Sequence, residues 1–241
     1  MEILVGTSGW SNPIWNPSGL SWYVDNSKLN AVELNMSFYQ LPKKEQILSW
    51  AQEGNSLVWT VKMNRSVTHF FRFNEMAFEK FLEFQELFKP LDKQIEYYLF
   101  QLPPNAHPAM RDDIEKFFHQ SQLGPRFALE WRNPHWYTKE HIQWAQSLGI
   151  TVVSADSAQV PREIINTSGT VYLRLHGRSD WFLHHYSRKE LSRITGAVLA
   201  SGCRRVIAFL NNESLQLKNA QMLYQIFREQ LNLTKIPADT K

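Results

Sequence analysis

Three carboxylates, an imidazole and three cations close short apolar runs of this chain, and these are the groups that move protons and hold anions. Glu33 and Asn35 alternate with Val32, Leu34 and Met36, and Thr60 and Lys62 with Trp59, Val61 and Met63. Glu130 and Arg132 alternate with Leu129 and Trp131, Ser154 pairs with Asp156, and Arg174 and His176 alternate with Leu173 and Leu175. Ser8, Gln101 and Asn211 end three further runs. Residues i and i+2 of a strand share a face, so each pair points one way. Glu130, Asp156, His176 and Glu33 are the candidate catalytic groups, because carboxylates and imidazole serve as general acids and bases. Lys62, Arg132 and Arg174 form the candidate ligand clamp, since guanidinium forks match phosphate and carboxylate oxygens. Ser8, Asn35, His69, Gln101 and Asn211 extend that binding set. Trp10, Phe38 and Tyr39, with Trp15 and Trp136, follow strands and are placed to stack on a planar ring. Each of these aromatics alone is more often a packing residue.

Several chemistries fit these residue types. Glu33 and Glu130 form a carboxylate pair of the kind that cleaves glycosidic bonds, although strands two and five of a barrel face each other across its width. Glu33, His69, Glu130, Asp156 and His176 are metal-ligand types, but no His-Glu-x-x-His spacing occurs and three cations stand close by. No metal or cofactor is assigned, and a divalent metal stays as an alternative. The reading we prefer is an anionic, phosphorylated ligand held by Lys62, Arg132 and Arg174, with a nucleotide or nucleic acid among the candidates. Hydrolysis or lyase chemistry then runs with Glu130 as the main proton-transfer group and His176 as a second. Lys62 is read first as a counter-ion to Glu33 or Glu130, and alternatively as a Schiff-base amine. The rival of another class is a non-catalytic nucleic-acid or metabolite-binding protein. The plain structural alternative is a plug of buried ion pairs such as Glu130 with Arg174, which stabilise poorly beside apolar packing.

The elements that carry these residues alternate along the chain. Apolar, β-branched runs at Ile3–Thr7, Ala31–Met36, Leu57–Met63, Ile95–Leu102, Phe127–Arg132, Thr151–Asp156, Val171–His176 and Val206–Asn211 read as strands. Helical periodicity marks Glu75–Phe88, Met110–His119, Lys139–Ser147, Ser187–Leu199 and Leu215–Leu231, with Asn74, Thr138 and Ser187 as N-caps. Eight such units predict an α/β fold, a single (β/α)₈ TIM barrel over 1–233, with an open doubly wound parallel sheet as the alternative. Helices cover a barrel from outside, so the apolar strand faces are expected outward and the polar ones inward, converging at the mouth where the strands end. The polar segment 234–241 is expected to be loose.

Bulk properties agree with that plan. The 241 residues match a TIM barrel in length, 43% hydrophobic residues suffice for a core, and a net charge of +3 does not demand a nucleic-acid partner. The lone Cys203 excludes an intramolecular disulfide and a Cys-based zinc cluster, and its place before a strand puts it at the wrong end for a nucleophile. The amino terminus lacks the pattern of a signal peptide and no apolar run reaches membrane-spanning length, so a cytoplasmic protein without a membrane partner is expected.

Taken in order, Gly6-Thr7-Ser8-Gly9-Trp10, Glu33-Leu34-Asn35 with Ser37-Phe38-Tyr39, Val61-Lys62 before Thr68-His69, Gln101-Leu102-Pro103-Pro104, and Glu130-Trp131-Arg132 with Trp136 resemble the YecE-like family. So do Asp156, Tyr172-Leu173-Arg174-Leu175-His176-Gly177, and Asn211-Asn212 with Asn219-Ala220. That family is a domain of unknown function, number seventy-two of its series. The resemblance implies a TIM barrel, related in shape to AP-site endonucleases and sugar isomerases, without an established activity. The chain departs from the family pattern near Asn12, where an aromatic is expected, and at Gln40, where arginine is usual. The loop after Gly177, with Trp181, His184 and His185, is read as marking a subfamily with its own lid.

Overall fold

The computed structural model describes residues 1–178, 183–212 and 215–234. Eight strands form a closed parallel barrel in chain order: β1 Glu2–Ser8, β2 Ala31–Leu34, β3 Val58–Lys62, β4 Ile95–Gln101, β5 Phe127–Glu130, β6 Thr151–Ser157, β7 Thr170–Gly177 and β8 Arg205–Leu210. Pairing of β1 with β8, from Glu2 opposite Arg205 to Thr7 opposite Leu210, closes the sheet and rules out the open doubly wound alternative. Among the described residues seven α-helices accompany the strands: α1 Leu20–Asn26, α2 Lys44–Glu53, α3 Glu75–Phe88, α4 Arg111–Ser121, α5 Lys139–Leu148, α6 Arg188–Ala200 and α7 Gln216–Thr234. Asn74, Thr138 and Ser187 do cap α3, α5 and α6, each side chain accepting a backbone N–H of the first turn.

Strand alternation sorts the core into two shells. Val32, Leu34, Trp59, Val61, Tyr98, Phe100, Leu129 and Leu173 pack outward with the helices. Leu4, Ala31, Tyr97, Leu99, Ala128, Val153, Tyr172, Ile207 and Phe209 fill the barrel itself. The inner face is therefore apolar through the middle of the barrel and polar over the last residues of the strands. Gly6 belongs to this inner face: a Cβ there would lie 2.2 Å from the Ala31 carbonyl oxygen and 3.0 Å from the Phe209 ring. Glycine lets β1 and β2 close over a bulky neighbour.

Strand β6 departs from the expected pattern. Val153 is in the inner shell, so Ser154 and Asp156 face outward, not along the barrel axis. The cause is the connection to β7. Residues 158–169 form no helix, and their irregular backbone needs polar partners that a helix would supply to itself. Ser154 Oγ accepts the Ile165 N–H at 2.9 Å, and Thr167 Oγ1 accepts the Val152 N–H while donating to the Ile150 carbonyl. Polar residues on this outer face serve the covering segment. Residues 235–241 of the expected loose end, and Trp181 of the expected lid, lie outside the described residues.

Candidate functional site

Each strand end lifts one inward side chain to a common level. Glu33 of β2 stands beside Ser8 of β1 and Thr60 of β3; Glu130 of β5 stands beside Gln101 of β4; Ala155 of β6 and Phe209 of β8 flank Arg174 of β7. The small Ala155 leaves room for the guanidinium. Arg174 spans the barrel, with Nη2 donating to Glu33 at 2.7 Å and Nη1 to Glu130 at 2.5 Å. One cation thus joins two carboxylates from opposite walls.

The surroundings complete each carboxylate. Glu33 accepts from Ser8 Oγ (2.8 Å), Asn35 Nδ2 (2.9 Å) and the Tyr172 hydroxyl (2.6 Å). Burial alone would raise its pKa, but the Arg174 charge and the hydrogen bonds from Arg174, Tyr172 and Ser8 bring it below the usual value. Glu130 is paired with Arg132 at 2.8 Å and His176 Nε2 at 3.1 Å. Burial is again outweighed, here by Arg132 and Arg174, and Glu130 is held well below the ordinary carboxylate range. His176 is fully buried, with Asn211 Nδ2 3.2 Å from its Nδ1; burial and the two arginines push it down to about 4, so the ring is neutral near pH 7.

Above this layer opens a cavity of about 530 Å³, lined by Ser8, Asn35, Phe38, Tyr39, Lys62, Arg65, His69, Phe70, Gln101, Arg132, Arg174 and Asn211. Lys62 reaches it from the last position of β3. Its Nζ donates to Gln101 Oε1 at 2.8 Å and lies 4.0 Å from the centre of the Phe38 ring. Lys62 is only 7% exposed, and among the described residues it makes no ion pair within 4.0 Å. The counter-ion role expected for it is filled by Arg174 instead. Burial, then the Arg174 and Arg132 charges, push Lys62 down to about 7 against the weaker pull of Glu130 and Glu33. His69, whose ring meets Phe38 edge-on, is pushed down to about 4 by burial and the Lys62 and Arg132 charges.

Two loops build the apolar rim. The turn Met36–Phe38 after β2 is tied down by Ser37 Oγ, which donates to the Lys62 carbonyl at 2.7 Å, and by Asn64 Nδ2, which donates to the Ser37 carbonyl at 2.8 Å. After β3 the chain forms a π-helical turn, Ser66–Phe70, a rare geometry that occurs frequently at functional sites. Tyr39 and Phe70 are 68% and 65% exposed at the mouth, and the Arg65 guanidinium lies over Phe70 at 5.4 Å.

Of the expected residues, Ser8, Asn35, Phe38, Tyr39, Lys62, His69, Gln101, Arg132, Arg174 and Asn211 line the cavity, with Glu33, Glu130 and His176 beneath it. Two belong elsewhere. Asp156 lies outside the barrel, bound by Arg178 at 2.7 Å and by the Tyr186 hydroxyl at 2.8 Å. Trp10 is a packing residue, its ring edge-on to Trp50 and Trp59 at 5.2 and 5.4 Å, and it borders a neighbouring cleft. Trp136 is likewise buried, donating to the Ala106 carbonyl, and Trp15 packs on Trp22 and Tyr23. His184, from the expected lid, binds Glu190 at the start of α6. Sequence reasoning missed Tyr172, Arg65 and Phe70. Tyr172 was findable, because it shares the face of Arg174 two residues on; Arg65 and Phe70 follow a strand without any pattern of their own.

The arrangement limits the chemistry. Arg174 occupies the gap between Glu33 and Glu130, where a glycosidase would hold its sugar. Among the described residues no three His, Cys, Asp or Glu side chains converge on a metal position. The five candidate ligands are separated by Asp156 facing outward, and the Glu33 and Glu130 oxygens are taken by guanidinium and hydroxyl groups. Among the described residues no helix is long and apolar enough to cross a membrane.

Comparison with known proteins follows the same outline. A family described as "Protein of unknown function DUF72" matches residues 4–241. The UPF0759 protein YecE of Escherichia coli K12 is 25% identical over 150 residues, which is 61% of this chain and 55% of that protein, so the match spans about half the length of its curated relative. A DUF72 family protein from Thermotoga maritima has a crystal structure that superposes with a TM-score of 0.79 at 24% identity, covering 96% of this chain and all of the other. D-psicose 3-epimerase from Clostridium cellulolyticum superposes at 0.58 with 12% identity over 98% of each chain, a likeness of fold alone.

Proposed function

The chain belongs to the DUF72 family, and we propose that its barrel mouth binds a small anionic ligand, carboxylated or phosphorylated, and acts on it as a lyase or hydrolase. The supporting observation is an imbalance of charge across the cavity floor. Arg174, Arg132 and Lys62 face two carboxylates, and both carboxylates are buried beneath the guanidiniums. A ligand in the cavity therefore meets cations first, in a partly dry site where such contacts are strong. Phe38, Tyr39 and Phe70 offer ring faces to its less polar part.

The proton-transfer role moves from Glu130 to Lys62. A carboxylate held well below its usual range and ringed by cations is a weak base and a poor proton carrier at neutral pH. Lys62, pushed to about 7 and facing the cavity, is poised near operating pH. One observation favours a second reading, a binding protein without turnover: Glu33 and Glu130 are satisfied by partners on every side, as in a rigid receptor.

Thermal melting with inorganic phosphate and with pyruvate tests the anion reading, since a ligand that binds only the folded state raises Tm. Arg132→Ala is expected to weaken both roughly ten- to a hundredfold, the loss of a charge-assisted hydrogen bond. Affinity unchanged in that variant, or no anion binding by the wild type, overturns the reading. Weak dependence on salt supports a small ligand, whereas a steep decline of binding to a single-stranded oligonucleotide points to many phosphates.

A further inference from the structure

We infer that Lys62 is a nucleophilic amine that captures the carbonyl of a 2-oxo acid as a Schiff base, with Arg132 holding the adjacent carboxylate. The inference rests on the anion-binding reading of the same cavity and names its substrate class.

The geometry around one oxygen atom carries it. Gln101 Oε1 accepts from Lys62 Nζ at 2.8 Å and from Arg132 Nη2 at 3.1 Å, so the amine and the guanidinium stand as next neighbours on the cavity floor. A 2-oxo acid carries its carboxylate and its carbonyl on adjacent carbons. Seating the carboxylate on Arg132 brings the carbonyl carbon over Nζ.

The environment of the amine suits attack. The apolar ring of Phe38 covers Nζ from one side, Gln101 fixes its direction with a neutral oxygen, and among the described residues no carboxylate lies within 4.0 Å to hold it protonated. The charged or titratable groups that face it are Glu33 of β2, Arg65 and His69 after β3, Glu130 of β5 with Arg132 just after it, and Arg174 of β7. Cations outnumber anions among them, and with its pKa brought down to about 7 a substantial share of the amine is neutral at neutral pH, as in other desolvated lysines beside positive charge.

The step balances without a cofactor. The Nζ lone pair adds to the carbonyl carbon, and the amine proton passes through water to the former carbonyl oxygen. The resulting carbinolamine takes one solvent proton and expels its hydroxyl as water, as the nitrogen lone pair forms the C=N bond of an iminium. The water leaves through the open mouth.

The test is reductive trapping. The full chain is incubated with pyruvate and sodium cyanoborohydride, then examined by intact mass and peptide mapping. One reduced pyruvate adduct per chain at Lys62 is expected, formed at least tenfold faster than on exposed lysines such as Lys89, with a rate that rises through pH about 7. Lys62→Met should lose that adduct while keeping the slow surface labelling, and its circular dichroism reports whether it folds. Arg132→Ala should slow trapping by pyruvate far more than trapping by acetaldehyde, which has no carboxylate. If Lys62 labels no faster than Lys89 with either pyruvate or glyoxylate, the Schiff base is overturned. Continued binding of phosphate in that case leaves the anion site standing, and its loss removes both.

Discussion

Two carboxylate–arginine clusters sit at strand ends in this barrel, on opposite faces of the sheet. Inside, Arg174 joins Glu33 to Glu130. Outside, Arg178 grips Asp156 through Nε and Nη2, and the Tyr186 hydroxyl completes the carboxylate. The chemistry of the pairs is alike, but the inner one lies beneath a cavity of about 530 Å³ that Lys62 also lines, whereas the outer one borders a smaller cavity of about 200 Å³. The difference lies in what remains unmatched. Arg178 has a second carboxylate, Glu190 of α6, at 3.8 Å, so the outer cluster closes on itself. The inner cluster consumes both its carboxylates on two guanidiniums and leaves Lys62 with an amide oxygen and a ring. A strand-end ion pair is thus weak evidence for a site, and a buried cation without an anion is strong evidence.

Removal of the central guanidinium should separate the clusters most sharply. Arg174→Ala leaves buried Glu33 without a cation and Glu130 with Arg132 as its remaining guanidinium, and is expected to lower stability by about 3–5 kcal/mol. Chemical denaturation measures this, and Arg174→Ala combined with Glu33→Gln should recover part of the loss. A loss no greater than that of Arg178→Ala would erase the distinction between inner and outer pairs.

The next effect has the opposite sign. Lys62 is displaced from the ordinary 10.5 to about 7, so the folded protein binds this proton less readily than the unfolded chain. Below pH 7 both states are protonated and the full penalty of burying the charge is present. Between pH 7 and 10.5 only the unfolded chain holds the proton, so the penalty fades and stability from this group rises with pH. Lys62→Met should therefore stabilise the protein at pH 6, by at most about 5 kcal/mol on the scale of 1.36 kcal/mol per pKa unit. The gain should shrink toward pH 10. A gain that is absent at pH 6, or constant with pH, contradicts an unmatched inner cation.

The same contrast explains how much could be read from the sequence. Strand runs, barrel closure and most of the cavity lining were legible, because apolar alternation on β2, β3, β5 and β7 has a single consistent meaning when helices cover the outside. Helix α3 was legible to its ends, since Asn74 caps a strongly periodic stretch. Helices α1 and α2 were not, being short and lacking side-chain caps that accept a hydrogen bond at Gly19 or Lys43. Asp156 misled because alternation reports two faces without saying which is inside. That assignment depends on the covering element, and the missing helix between β6 and β7 reverses the polarity of one strand. Lys62 misled differently: its neighbours in sequence give no sign that Arg174, more than a hundred residues away, reaches both carboxylates first.

The smallest expected effect is the one that isolates geometry from chemistry. Asp156→Asn removes a charge but keeps the shape of the side chain, and the amide can still accept from Arg178 and Tyr186. Arg178 is a quarter exposed, so water takes up part of the unbalanced charge. The expected loss is about 1–3 kcal/mol of stability, that of weakened hydrogen bonds at a buried acceptor. Because Asp156 points away from the cavity, affinity for phosphate and the rate of pyruvate trapping should stay within twofold of wild type. Glu130→Gln makes the same chemical change inside the barrel, where Arg132 and Arg174 lose their shared counter-charge. Those two guanidiniums would then press on Lys62 with only Glu33 opposing them, lowering its pKa further and moving the pH profile of trapping to lower values. If Asp156→Asn moved that profile as far as Glu130→Gln, charge on the outer face would be felt through the sheet, and separation of the clusters by the strand wall would be wrong.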